Sequence, residues 1–181
     1  LGGRLLDGQP AWDRVESGIG YVPEERALFP TMTVRQHLRL SSKPGAESVS
    51  AIDDVFELFP RLEERMGQRS GTLSGGEQQM LAIARALVRA PRCLLVDEPT
   101  LGLAPTVVSS IASALSGLAA RGTAVLVAEQ NVRFVDALAD DYFVIRDGVF
   151  VTSGRGVDVL RDPSLIEEMV GDWTSEADCA L

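Results

Sequence analysis

The chain has 181 residues, enough for one domain with a substantial buried core. Hydrophobic residues make up 45% and charged residues 24%, the mixture of a globular protein rather than a disordered or fibrous one. A formal net charge of -9 argues against nucleic acid as the main partner, because binding a phosphate backbone needs a basic surface. Apolar runs such as Ala124 to Ala128 fall far short of the roughly 20 residues that cross a bilayer, and no signal peptide is read at the start. Any link to a membrane is therefore expected to go through a partner protein. Cys93 and Cys179 form no CxxC pair and are read as free thiols of a reduced protein.

Leu5 and Leu6 before Asp7-Gly8 read as a short strand and a turn. Gly18 to Val22 reads as another short strand, closed by Pro23 and followed by a loop from Glu24 to Pro30. Thr33 starts a helix, with Gln36 completing a capping box. Ser41 to Ser50 is a polar connection containing Pro44 and Gly45. Ile52 to Phe59 is helical, with Val55, Phe56 and Phe59 on one face, and Pro60 ends it. Glu63 to Thr72 reads as a polar surface loop.

Ser74 caps the next helix with Glu77 reaching back, and Met80, Ala84, Leu87 and Val88 form its apolar stripe up to Pro91. Cys93 to Val96 is a continuous apolar run, the mark of a strand buried on both faces. A helix from Pro105 places Val108, Ile111, Leu115 and Leu118 on one side and exits at Gly122. Ala124 to Val127 is a second fully apolar strand, so the two strands should be parallel with a right-handed crossover. Tyr142 to Ile145 and Val149 to Thr152 flank Asp147-Gly148, a tight hairpin signal. Residues 172–181 form a polar tail.

Three places carry chemistry. Asp97 and Glu98 lie just beyond the carboxyl end of a buried parallel strand, where open α/β sheets bind ligands. One carboxylate there suits a Mg²⁺ ion held through water, the other an attacking water. Glu129 and Gln130 follow the next strand at the same end. LSGGEQQ, Leu73 to Gln79, puts two glycines at a capped helix start, where backbone N–H groups and the helix dipole favour an anion. The same residues also make an ordinary capped helix, and a lone DE pair also suits a solvated loop. His37 is the only histidine and is read as a surface or satisfied residue, not a catalyst.

LSGGEQQ resembles the signature motif of ABC-type ATPases, and LLVDEP, Leu94 to Pro99, resembles their Walker B strand. YVPEERALFPTMTVRQHL looks like the family's Q-loop region and RDGVFVTSG like its late hairpin, so the resemblance covers essentially the whole chain. It implies an α/β, P-loop NTPase-like fold with a mainly parallel sheet and a helical signature subdomain. Residues 1–32 would be partial ATP-binding core and Q-loop region, and 33–73 the helical subdomain. Residues 74–171 would hold the signature helix, the Walker B core and a C-terminal hairpin and helix, before the tail.

The resemblance further implies that Ser74, Gly75 and Gly76 touch the γ-phosphate of ATP bound to an opposite subunit, with Gln79 in support. It makes Asp97 the Mg²⁺ residue and Glu98 the general base. Glu24 occupies the Q-loop glutamine position and Gln130 the switch-histidine position. With Ala104 in LGLAP, these departures are similar to the LivF-type subunit of branched-chain amino acid importers, and a urea-importer relative is the alternative. That branch usually reads P-E-G-R, so Glu25 is a further departure, one that bears on the turn. The implied partners are a like subunit in a head-to-tail dimer and membrane permease subunits, with no nucleic acid. The implied place is the cytoplasmic face of the membrane, peripheral through the permease.

One motif of that family is absent from the 181 residues: GxxxxGK[ST], the phosphate-binding loop. The only lysine, Lys43, precedes Pro44 in a polar loop without matching glycines. The expectation is a chain lacking its first βα unit. A non-catalytic subunit that completes a partner's site is the alternative.

Overall fold

The structure is a computed structural model that describes residues 1–42 and 49–155. Lys43, Pro44, Cys179, the tail and everything else beyond residue 155 lie outside the described residues. These fall into two compact units, Leu1–Ala128 and one beginning at Glu129.

The first unit is built on three parallel strands in the order β1 (Ile19–Val22), β2 (Cys93–Asp97), β3 (Ala124–Ala128). Parallel neighbours need long crossovers, and the chain supplies them as helices. Between β1 and β2 run α2 (Val34–Ser41), α3 (Val49–Leu58), α4 (Pro60–Glu64), a 3₁₀ turn at Ser70–Thr72 and α5 (Gly75–Leu87). α6 (Pro105–Ala120) joins β2 to β3. Thr33 caps α2 with a full capping box to Gln36. Pro60 ends α3 and also opens α4 as its first residue, since proline fits a first helical turn. Glu63–Thr72 is not wholly a surface loop: Ser70 is buried, with its Oγ donating to the Phe29 carbonyl at 2.8 Å.

α6 follows the expected pattern. Pro105 is its first residue, Ile111, Ala114, Leu115 and Leu118 are buried, and Gly122 leaves the helix at φ +92°. Burying each of its three large aliphatic side chains contributes about 1.5–3 kcal/mol. α5 buries Leu81, Ala82, Ile83, Ala84 and Leu87, and it packs on β1, β2, α2 and α4.

The strands depart from the expectation of burial on both faces. Register aligns Val22, Val96 and Val127 on one face, the first two fully buried. The opposite face aligns Tyr21, Leu95 and Leu126, of which Tyr21 is 58% and Leu126 61% exposed. An apolar run signals a strand but not how many faces are covered.

One further reading is corrected. Leu5-Leu6 form no strand: two residues are too few to hold a register, Gly8 turns the chain at φ +70°, and Leu5 is 80% exposed. A short helix, α1 (Ala11–Glu16), lies there unread, because it has no side-chain cap and buries nothing that would give it a stripe.

The second unit opens with α7 (Val132–Leu138), also unread. Asn131 caps it by accepting the Phe134 N–H. β4 (Asp141–Arg146) and β5 (Val149–Arg155) form the expected hairpin, Asp147 and Gly148 both taking positive φ as a tight turn of that hand demands. Tyr142 and Val144 pack against Val132 and Val135. Gly154 lies so close beneath Tyr142 that an added Cβ would sit 2.7 Å from its hydroxyl.

Candidate functional site

The carboxyl edge of the sheet carries three of the sequence candidates. Alternation along β2 places Asp97 on the same face as Leu95, the one that is open at Tyr21 and Leu126, and pairs it with Ala128. Glu98 turns out of the strand at φ +45°, a left-handed conformation that costs a non-glycine residue about 1–2 kcal/mol. Its N–H donates to the Ala128 carbonyl at 2.9 Å, which pins the strained residue to β3. Glu24 and Glu98 each stand two residues beyond the paired Val22 and Val96, so the register brings both to the same edge. Glu24 is exposed, whereas Asp97 and Glu98 are half-buried. Among the described residues no three His, Cys, Asp or Glu side chains cluster as a metal cage. Asp97 with phosphate oxygens and waters is the kind of partial ligation Mg²⁺ accepts, so the residues present fit that ion as a shared ligand, not as a closed site.

The start of α5 carries the rest. Ser74 caps it through Oγ, which accepts the Glu77 N–H at 3.2 Å, while Glu77 Oε2 accepts the Ser74 N–H at 2.9 Å. The bond from the Ser74 N–H holds the Glu77 carboxyl below the usual range, helped by Arg65. The box leaves the Ser74 hydroxyl hydrogen and the N–H groups of Gly75 and Gly76 without a protein acceptor among the described residues. Such donors at the positive helix end suit an anion.

The two glycines differ. Gly75 is exposed, and a Cβ there would meet nothing closer than 3.7 Å. Gly76 is buried, and a Cβ there would lie 2.8 and 2.9 Å from the methyls of Val107 in α6. Its lack of a side chain is therefore required by packing. The contact also docks the loop after β2 onto the start of α5, with Leu103 beside Gly75.

Gln79 is 2% exposed. Its Oε1 accepts from Arg26 Nε at 2.9 Å, and Arg26 Nη1 reaches Gln78 Oε1 at 3.4 Å. Arg26 was not among the sequence candidates; the one signal for it was a lone basic residue behind Glu24 and Glu25. It sits in a tight turn, where the Ala27 N–H donates to the Glu25 carbonyl at 2.7 Å, and Arg26 and Ala27 take φ of +61° and +47°. Glu25 is not in that left-handed region, so the absence of glycine there is tolerated and the strain falls on the next two residues.

This turn is held from below. His37, 1% exposed, accepts the Phe29 N–H through Nε2 at 3.0 Å, and its Nδ1 meets the Thr33 carbonyl at 2.9 Å, which fixes the proton on Nδ1. Burial is the largest influence on its pKa and lowers it. The histidine is thus the satisfied one of the two readings, not the surface one. Arg85 donates to the Ala27 carbonyl and is half-buried.

Glu129 and Gln130 open the second unit, directly after β3; the Gln130 N–H donates to Glu129 Oε2 at 3.1 Å. The first unit thus gathers Glu24, Asp97 and Glu98 at one sheet edge. It gathers Ser74, Gly75, Gly76 and Gln79 around one helix end.

Residues 2–101 match the ABC transporter family. The chain is 40% identical over 171 residues to the high-affinity branched-chain amino acid transport ATP-binding protein BraG of Pseudomonas aeruginosa, covering 93% of this chain and 73% of the relative. It is 30% identical over 183 residues to the lipopolysaccharide export system ATP-binding protein LptB of Acidithiobacillus ferridurans, covering 93% and 71%. Among solved structures it is similar to MJ1267, an ATP-binding cassette of an ABC transporter, with a TM-score of 0.74 and 24% identity over 92% of this chain and 74% of that one. A parallel sheet with an acidic pair at its edge, a capped glycine start on the neighbouring helix and this family match together place the chain in the ABC transporter family of ATP-binding proteins.

Proposed function

We propose that the chain is the ATP-hydrolysing motor subunit of an importer for branched-chain amino acids. The observation that carries the chemistry is the acidic pair at the sheet edge: Asp97 on the open face and Glu98 in a strained, backbone-pinned conformation. Such strain at an acidic residue is a pointer to function. Asp97 serves Mg²⁺, which spreads charge on the terminal phosphate when bound. Glu98 accepts a proton from the attacking water. Ser74 and Gly75 donate to the γ-phosphate of nucleotide held by a like subunit in a head-to-tail pair. Glu24 orients the attacking water from the Q-loop position. The cargo rests on the likeness to BraG and on Glu24, Ala104 and Gln130 occurring together. Among the described residues no helix is long and apolar enough to cross a membrane. In this proposal the subunit attaches to the cytoplasmic face through permease subunits.

A second reading keeps the signature end, Leu73 to Gln79, as the working part of the chain. In it the chain lends its signature end to a catalytic partner and hydrolyses nothing itself. Glu98→Gln in the full-length, assembled subunit separates the two. Loss of a general base lowers turnover about 10²–10⁴-fold with ATP binding retained. Turnover unchanged by the substitution would favour the non-catalytic role.

A further inference from the structure

The charges around the start of α5 do not cancel among the described residues. Glu77 is matched by Arg65, 3.3 Å away. Among the described residues Arg26 has no carboxylate within ion-pair distance, and its side chain donates to the two amide oxygens of Gln78 and Gln79. Its Nη1 and Nη2 lie 3.7 and 3.9 Å from the point a Cβ on Gly75 would occupy. A cation, the positive end of a 13-residue helix and the unaccepted N–H groups of Gly75 and Gly76 therefore meet at one place. That combination is unfavourable until an anion joins it.

Gln79 supplies an independent sign. It is 98% buried by its 2% exposure, and its Nε2 has no partner among the described residues. A buried amide with an unused donor destabilises the fold. The one bond it does make fixes the Arg26 side chain at Nε and leaves the Nη2 edge free. Arg26 is also held in a left-handed backbone conformation that an arginine adopts only under constraint.

We propose that Arg26 is a further nucleotide-contacting residue: with Nε held by Gln79, its Nη2 edge donates to an oxygen of the terminal phosphate presented to Ser74 and Gly75. Gln79 is its positioning residue. The inference rests on the reading of this helix end as a γ-phosphate site. A phosphate fits better than a protein carboxylate, because the guanidinium, the Ser74 hydroxyl and two backbone N–H groups offer more donors than two oxygens can use.

The test is ATP-dependent hydrolysis by the full-length subunit, both alone and assembled with its permease, for Arg26→Met, Arg26→Lys, Gln79→Leu and Ser74→Ala, with the Tm of each. Removing a charge-assisted hydrogen bond lowers kcat/KM by about 10- to 100-fold. Arg26→Met is expected to show that loss with Tm within a few degrees of wild type, and Arg26→Lys to recover part of it. Gln79→Leu should fall between. An unchanged kcat/KM for Arg26→Met beside a lowered one for Ser74→Ala overturns the role of Arg26 and leaves the phosphate reading standing. Unchanged values for both sink the phosphate reading itself. A loss confined to the assembled transporter would assign Arg26 to a permease carboxylate and also overturn the proposal. Should Arg26→Met fail to fold, Arg26→Gln decides by the same readout.

Discussion

Two adjacent glycines with the same residue type do different work. Gly76 faces Val107 with no room for a methyl, whereas Gly75 opens to solvent beside Arg26. Gly76→Ala forces the Val107 methyls or the helix pair to shift, which typically costs about 1–3 kcal/mol; urea unfolding should show it as a lower midpoint at unchanged slope. Gly75→Asp should leave the midpoint near wild type and abolish hydrolysis, since its carboxylate would occupy the place proposed for a phosphate, next to the Arg26 guanidinium. Equal loss of stability in both variants would contradict the distinction. At this scale the sequence displayed the capping partners Ser74 and Glu77, because their contact is three residues long. It concealed the Gly76–Val107 contact and the Arg26–Gln79 bond, which join residues 31 and 53 positions apart and depend on how helices pack.

Among the elements, helices with a buried stripe and a cap were legible: α2, α5 and α6 begin at the residues their capping or proline signals name. α1 and α7 were not, one lacking any cap and both being too short for a periodic stripe. The segment from Phe29 to His37 shows what a legible element can still hide. The sole histidine is buried and holds the turn after β1 through Phe29. Burial lowers its pKa in the folded chain, so the unfolded chain takes up its proton first as pH falls. The stability this neutral histidine provides is complete above the unfolded value of about 6.5 and is lost as pH drops below it toward the folded value. Thermal melts at pH 7.5 and pH 5.5 should therefore show lower stability at the acid end, and His37→Gln should flatten the difference. A slope unchanged by His37→Gln would mean that other groups carry it. Glu77 adds a separate acid sensitivity, because its pKa is also lowered: its contribution is lost as pH falls from the ordinary carboxylate value toward the lower folded one.

Across the described residues, the parallel pairing of β2 with β3 was legible in the strand–helix–strand alternation, whereas the place of β1 beside β2 was not. Nor was the exposure of Tyr21 and Leu126, because an apolar strand reads alike whether one face or both are covered. The chemistry of the 181 residues is also lopsided: they place Glu24, Asp97 and Glu98 at one sheet edge and contain no GxxxxGK[ST], while in the proposed function their signature end serves a nucleotide held by a like subunit. Isothermal titration of a folded, monodisperse 181-residue sample with Mg-ATP should accordingly show no appreciable binding. A micromolar Kd would mean that these residues hold a phosphate cradle of another kind.

The central claim, an ATP-driven importer subunit for branched-chain amino acids, is tested most directly by transport. The full-length subunit with its permease and paired subunit would be reconstituted in vesicles and supplied with ATP and radiolabelled leucine or urea. ATP-dependent leucine uptake that is lost in the Glu98→Gln transporter is the predicted result. Uptake of urea alone, or leucine uptake that survives Glu98→Gln, would contradict it.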